Sequence, residues 1–351
     1  MQGVVFLGDR ELELREFPDP EPGPGEVVIE VKASGMCGSD LKFYRAPRGG
    51  GGGAGALGLG GSGQPVIAGH EPCGVVAAVG PGVEEALARV GQRVMIHHYK
   101  GCGACNHCRA GWSQLCRNGF VVYGVTGDGA HARYMKAPAS TVVPLPQELS
   151  FETGAAISCG TGTAFGALRR LNLSGRDTIA IFGQGPVGLS ATQLARAMGA
   201  RVLAIEVGAE RAAFAKELGA EVVLDPNKEN PVEALLELTR GEGVDLALDC
   251  SGAAEARVAA VQSLRTWGTV CFVGEGGEVT LDVSRDLIRK QITLVASWTF
   301  SSVGQAECAR FITERAIPVE GIFTHRYVLD QAVEAYRLFD TQTTGKGVFL
   351  F

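Results

Sequence analysis

Thr178-Ile179-Ala180-Ile181-Phe182-Gly183-Gln184-Gly185-Pro186-Val187-Gly188 sets a short apolar run directly before a G-x-G-x-x-G pattern. The first five residues read as a β-strand. The glycines that follow suit a phosphate-binding turn. Gly183 allows the tight turn, Gly185 lets backbone approach a pyrophosphate, and Gly188 lets a helix pack close to the strand. The helix that opens through Pro186 and Val187 would offer free N–H groups and partial positive charge to the phosphates.

Moving outward, Arg201–Ile205 is expected as the next strand, and it ends in Glu206, 18 residues past Gly188. An acid there accepts hydrogen bonds from the adenosine ribose hydroxyls and repels a 2′-phosphate, which favours NAD over NADP. Arg211 works the other way, since a nearby arginine can accommodate that phosphate. Further strands are expected over 221–224, 244–248 and 269–273, with helices over 189–198 and 209–218. Strands alternating with helices imply right-handed crossovers and a parallel sheet.

The first ~150 residues differ. Short alternating runs such as Val27–Val31 and Gly74–Val79 are separated by turn residues, as in an irregular β-barrel. A helix over Gln331–Phe339 and a strand over Gly347–Phe351 are expected to rejoin this part. The fold class is therefore α/β, with residues 1–155 and 293–351 as one domain and 156–292 as a doubly wound dinucleotide domain. Residues 48–63 hold ten glycines without apolar periodicity and read as a flexible surface insertion.

Composition limits the alternatives. The 351 residues suit two domains, and 46% apolar content is ample for their cores. A net charge of -6 disfavours nucleic acid and anionic membranes as partners. Met1-Gln2-Gly3-Val4 does not begin a basic-then-apolar leader, and no apolar run approaches about 18 residues, so a soluble, cytoplasmic protein is expected.

Four of the ten cysteines fall within fifteen residues, as Cys102-x2-Cys105-x2-Cys108-x7-Cys116. Such spacing fits a closed four-thiolate Zn²⁺ site of structural character. An iron–sulfur cluster is the alternative, but its ferredoxin pattern brings the fourth cysteine three residues later and before proline. A second constellation comprises Cys37-Gly38-Ser39-Asp40, Gly69-His70-Glu71 and Cys159. Cys37, His70 and Cys159 make the Cys₂His set of a catalytic zinc with an open fourth position. Glu71 is either a further ligand or a residue behind the ligands, and Asp40 is placed to accept the other ring N–H of His70. Cys73, Cys250, Cys271 and Cys308 are read as buried packing residues.

Taken together, these motifs resemble the zinc-containing medium-chain dehydrogenase/reductase family across essentially the whole chain. The resemblance implies a discontinuous GroES-like catalytic domain, a Rossmann cofactor domain, a catalytic and a structural zinc, and a homodimer or homotetramer. It implies hydride transfer between NAD and an alcohol/ketone pair, with Ser39 touching the substrate oxygen and starting the proton relay. It also implies Thr163 beside the nicotinamide and Lys346 near the pyrophosphate. Two departures stand out: Lys42 occupies a position where the family commonly has histidine, and the glycine-rich insertion has no counterpart. The small-molecule substrate is expected to be a secondary alcohol, polyol or sugar-like compound, with a simple aliphatic or aromatic primary alcohol as the alternative. A zinc-free reductase and a non-catalytic dinucleotide-binding protein are the competing classes. Phe43, Tyr44, Trp112, Phe120 and Trp298 either wall an apolar pocket or are ordinary packing. His97-His98-Tyr99 either present polar groups to a hydroxylated substrate or belong to a strand or the lobe surface.

Overall fold

Thr178–Phe182 is a strand near the middle of a six-stranded sheet whose pairs are all parallel. Across the sheet the strands run Val222–Leu224, Arg201–Ile205, Thr178–Phe182, Val244–Asp249, Leu264–Phe272 and Thr293–Ala296. Chain order thus proceeds outward from Thr178–Phe182 in one direction and then resumes on its other side. A doubly wound sheet leaves a crevice at that switch, beyond the carboxyl ends of its strands. The boundary expected at 293 needs correction, because Thr293–Ala296 pairs in parallel with Thr269–Phe272 and extends this sheet by one strand. Its sequence, Thr-Leu-Val-Ala, has no local feature that distinguishes the two sheets.

A computed structural model describes residues 1–48 and 65–351. The glycine-rich insertion expected over 48–63 falls, except for Arg48, outside the described residues. The second large sheet has seven strands. Phe323–Tyr327, Lys346–Leu350, Glu26–Gly35, Pro72–Val79, Arg93–Ile96 and Val142–Pro144 follow one another, and Tyr134–Pro138 also pairs with Glu26–Gly35. Most of its pairs are antiparallel, with register shifts that bend it. The C-terminal strand Lys346–Leu350 returns beside Glu26–Gly35, opposing Val348 to Gly35 and Phe349 to Ser34.

Helices Phe151–Ile157 and Gly160–Arg170 join the two sheets. Ser150 caps the first, its side chain accepting a hydrogen bond from Thr153 N. One core runs from Cys73 and Met95 of the bent sheet through Ile157, Phe165 and Leu168 to Ile179 and Leu189 of the parallel sheet. Each such buried side chain contributes about 1.5–3 kcal/mol. Helix Ser302–Glu314, not anticipated from periodicity, packs Cys308 and Ile312 into the same core and is capped by Ser301. No helix among the described residues is long and apolar enough to cross a membrane.

Candidate active site

A cleft of about 1620 Å³ opens between the two sheets and is lined from both. On its floor, antiparallel pairing of Ser34 with Pro72 sets the residues after one strand beside those before the next. Cys37 therefore meets His70 and Glu71. Cys159, immediately ahead of helix Gly160–Arg170, completes the set. All four are buried, and one donor atom from each lies within 4.8 Å of the others. The sulfurs of Cys37 and Cys159 are 3.8 Å apart.

His70 Nδ1 lies 2.9 Å from Asp40 Oδ1, leaving Nε2 toward the sulfurs and 3.1 Å from Ser39 Oγ. Asp40 is itself fixed, its Oδ2 accepting hydrogen bonds from Cys37 N at 2.8 Å and Tyr336 OH at 3.0 Å. Because Tyr336 donates there, it accepts from His131 Nε2 at 2.7 Å, and His131 Nδ1 accepts from Ser34 Oγ at 2.8 Å. Burial holds His131 down, to about 4, so its ring is neutral. For His70 burial opposes charge, yet Asp40 and then Cys37 outweigh it and lift the imidazole well above its ordinary value. The hydrogen bond from Cys159 holds Cys37 well below the usual thiol range, and the same bond pushes Cys159 up. Two sulfurs, an imidazole and a carboxylate, all buried and converging within 4.8 Å of one another, fit Zn²⁺.

Glu71 sits against the strand at Gly35, where an added Cβ would lie 1.9 Å from its Oε2, so only glycine leaves room. Its carboxylate meets Lys346, with Nζ 2.7 Å from Oε1 and 2.6 Å from Oε2. The ammonium also donates to Met36 O at 2.9 Å. Lys346 was expected near the pyrophosphate. Instead it is fully buried behind the metal-donor set, because its strand pairs with Glu26–Gly35 beneath Cys37.

Cys102, Cys105, Cys108 and Cys116 also bring their sulfurs within 4.8 Å of one another, and none is in a disulfide. Backbone amides point at them: Cys105 N donates to Cys102 Sγ at 3.4 Å and Cys102 N to Cys116 Sγ at 3.3 Å. The amides of Cys105 and Ala104 pull Cys102 down to about 6, within reach of the thiolate. A loop of amides aimed at four clustered sulfurs fits a closed thiolate metal site.

The wall facing the parallel sheet carries the glycine turn. Gly183 has φ +85°, and a Cβ at Gly188 would lie 1.9 Å from Gly183 O, so both positions exclude other residues. A Cβ at Gly185 would meet nothing nearer than Arg211 at 3.9 Å, because the space above it is the cleft. Pro186 and Val187 open helix Pro186–Ala197 at that wall. Glu206 is oriented by Gln184 N at 2.6 Å and Gly208 N at 2.9 Å. Arg211 lines the cleft beside it and donates to Thr344 O at 2.9 Å. Thr163 also faces the cleft, one turn into the helix that follows Cys159.

Several residues were not assigned from sequence. His131 and Tyr336 carry no local motif, and only the fold brings them within reach of Asp40. Lys42 crosses the cleft mouth to Glu275, Nζ to Oε2 at 3.0 Å. His97 and His98 are buried rather than on a lobe surface, and His98 lines the cleft with Tyr99 and Trp298. His98 Nδ1 lies 2.7 Å from Ser158 O. Phe43 also lines the cleft, Phe120 packs on Trp298 and Tyr99, and Tyr44 is in a core. Cys73, Cys271 and Cys308 are core residues, their thiols pushed up by burial, whereas Cys250 also reaches the cleft wall.

Residues 23–147 match the family described as "Alcohol dehydrogenase GroES-like domain", and residues 186–314 match "Zinc-binding dehydrogenase". The chain is 39% identical over 361 residues to the uncharacterized zinc-type alcohol dehydrogenase-like protein YphC of Escherichia coli (strain K12), covering 100% of this chain and 99% of that one. It is 33% identical over 347 residues to L-threonine 3-dehydrogenase of Pyrococcus horikoshii, covering 96% and 94%. The solved alcohol dehydrogenase TADH from Thermus sp. ATN1 superposes with a TM-score of 0.88 at 29% identity, covering 100% and 99%. With both halves of the fold and the zinc-type relatives in agreement, the chain belongs to the zinc-containing medium-chain dehydrogenase/reductase family, and it is an alcohol dehydrogenase-like oxidoreductase.

Proposed function

We propose that the chain oxidises a secondary alcohol, polyol or sugar-like hydroxyl with NAD, at the Cys37–His70–Cys159 corner of the cleft. The observation that carries this reading is the convergence of four buried metal donors on the floor of the same cleft that the Gly183–Gly188 turn opens. Zinc held by Cys37, His70 and Cys159, with Glu71 within reach, would supply Lewis acidity to a hydroxyl oxygen, and the dinucleotide would supply the hydride acceptor. Ser39 Oγ, 3.4 Å from Cys37 Sγ and 3.1 Å from His70 Nε2, stands where it accepts the hydroxyl proton. Thr163 positions the nicotinamide end, and Glu206 binds the adenosine ribose and disfavours a 2′-phosphate. Four thiolates of the Cys102–Cys116 loop would hold a second, structural zinc. The proton path beyond Ser39 differs from a histidine relay, since Lys42 is engaged with Glu275.

Assembly as a homodimer or homotetramer belongs to the same reading, for the parallel sheet ends on Thr293–Ala296 with Leu294 exposed. The test is metal content of the purified protein, followed by NADH absorbance with a panel of secondary alcohols and polyols. About two zincs per chain and NAD-dependent turnover support the proposal. One zinc without turnover on any alcohol would overturn it in favour of a non-catalytic dinucleotide-binding protein.

A further inference from the structure

Resting on the reading of the cleft as a dinucleotide site, we infer that Arg257 is a positioning residue for cofactor retention. It fixes the loop over 273–277 so that Glu275 meets Lys42 across the cleft mouth, and this tie sets how fast the reduced dinucleotide leaves.

The loop begins where strand Leu264–Phe272 leaves the parallel sheet, and Val273, Gly274 and Glu275 line the cleft. Its first two amides, of Val273 and Gly274, donate to Asp249 O at 2.9 Å and 3.0 Å. A Cβ at Gly274 would lie 2.2 Å from Gly252 N, so only glycine lets the loop sit this close to the end of the neighbouring strand. The Asp249 side chain is fully buried and accepts from Ser251 N and Oγ, from Gly252 N and, at 3.1 Å, from Arg257 Nε. With Nε engaged there, Arg257 donates from Nη2 to Gly274 O at 2.6 Å and to Gly276 O at 2.7 Å. Charge-assisted bonds from one planar guanidinium thus hold the carbonyls on either side of Glu275.

Glu275 is the part of the loop that Arg257 leaves to another cation. Its carboxylate takes Lys42 Nζ at 3.0 Å, and its carbonyl lies 3.4 Å from the same ammonium. Lys42 belongs to helix Asp40–Arg45, whose first residue orients His70. Lys42, Arg45, Arg211 and Lys228 are the lysines and arginines that line the cleft. Arg45 pairs with Asp340 and Lys228 with Asp225, each on its own side, and among the described residues Lys42 is the one that pairs with an acid across it. The tie therefore joins the helix beside the metal donors to the carboxyl ends of the parallel strands, where a doubly wound sheet takes its ligand. A dinucleotide seated there is released faster when the walls part, and the tie opposes parting. Arg257 keeps the loop from simply following Lys42 outward.

Lys42 and Glu275 are both partly exposed, so their attraction is modest and screened by salt. The measurement is the rate at which NADH leaves the loaded protein, followed by stopped-flow fluorescence on displacement with excess NAD. Lys42→Met and Glu275→Gln should each speed release about two- to fivefold, and the double variant should exceed neither. Lys42→Arg should stay near wild type, and the gap between wild type and Lys42→Met should close in about 1 M salt. Arg257→Lys keeps a charge against Asp249 but loses the planar fork. It should speed release in the wild-type background and add nothing to Lys42→Met. Where that variant does not fold, Asp249→Asn with Arg257→Gln strands no charge and repeats the comparison. Equal acceleration with and without Lys42 would make Arg257 merely structural and overturn its assignment. Unchanged release in Lys42→Met and Glu275→Gln, with NADH bound by the wild type, would overturn the tie and leave the dinucleotide reading standing. Release that depends on the tie in a protein that turns over no alcohol would sustain the inference and sink the alcohol-oxidising reading. A wild type that binds no NADH would overturn the dinucleotide reading and the inference with it.

Discussion

Lys346 Nζ lies 2.7 Å and 2.6 Å from the two carboxylate oxygens of Glu71, and neither side chain is exposed. Burial opposes the lysine's charge, but Glu71 outweighs it and holds the ammonium above its ordinary value. Removing one partner strands the other. Lys346→Met should cost about 3–5 kcal/mol of stability, and adding Glu71→Gln should recover part of that loss. Denaturant unfolding of the two singles and the double variant measures the coupling. Additive losses would show that the pair is not energetically linked.

The contact between Asp40 and His70 predicts a metal phenotype. A carboxylate that orients a ligand histidine typically contributes 10–100-fold in metal affinity. Asp40→Asn should weaken zinc retention at the buried site by about that factor, read by chelator competition. Tyr336→Phe should have the same direction and a smaller size, because it removes one of the two hydrogen bonds that hold Asp40 Oδ2. Unchanged zinc affinity in both variants would reduce the network to packing.

How far the sequence carries the reading differs by distance along the chain. Five of the parallel sheet's six strands were legible because each is a local apolar run with a glycine or acid at or near its end, as at Phe182-Gly183 and Ile205-Glu206. The donor set was legible because glycines flank Cys37 and His70 within single turns. The Lys346–Glu71 pair spans 275 residues, and the Tyr336–Asp40 bond 296. Such contacts depend on which strand the C-terminal segment joins, and no periodicity encodes that choice. The domain boundary expected at 293 misses the strand Thr293–Ala296 for the same reason, since its partner Thr269–Phe272 is set by the fold.

The Cys102–Cys116 loop should be separable from the reaction. Cys116→Ser is expected to lower zinc content by about one per chain and to lower thermal stability, since a metal-organised loop has little core of its own. NADH binding, followed by its fluorescence, should persist in the folded variant. Simultaneous loss of both zincs would mean that the two sites are not independent.

The proposed preference for NAD predicts that cofactor choice turns on Glu206, whose carboxylate is pre-oriented by Gln184 N and Gly208 N. Glu206→Ser removes the negative charge and leaves Arg211 facing the ribose. The ratio of NADP to NAD efficiency should rise by about tenfold, equivalent to about 1.4 kcal/mol. A ratio that does not move would place the ribose elsewhere in the cleft.

His97 supplies the pH prediction. Burial holds its folded value down to about 4, whereas an unfolded histidine titrates near 6.5. The native state thus refuses a proton that the unfolded chain accepts. Its contribution to stability is complete above about pH 6.5 and is lost progressively as pH falls toward 4, at up to about 1.4 kcal/mol per pH unit. His97→Gln removes this term while leaving the other buried histidines, His98 and His131, to titrate as before. Unfolding free energy measured by denaturant between pH 7 and 4.5 should therefore fall less steeply in the variant, by about one proton's slope. Parallel curves for the two proteins would mean that His97 takes up its proton within the fold.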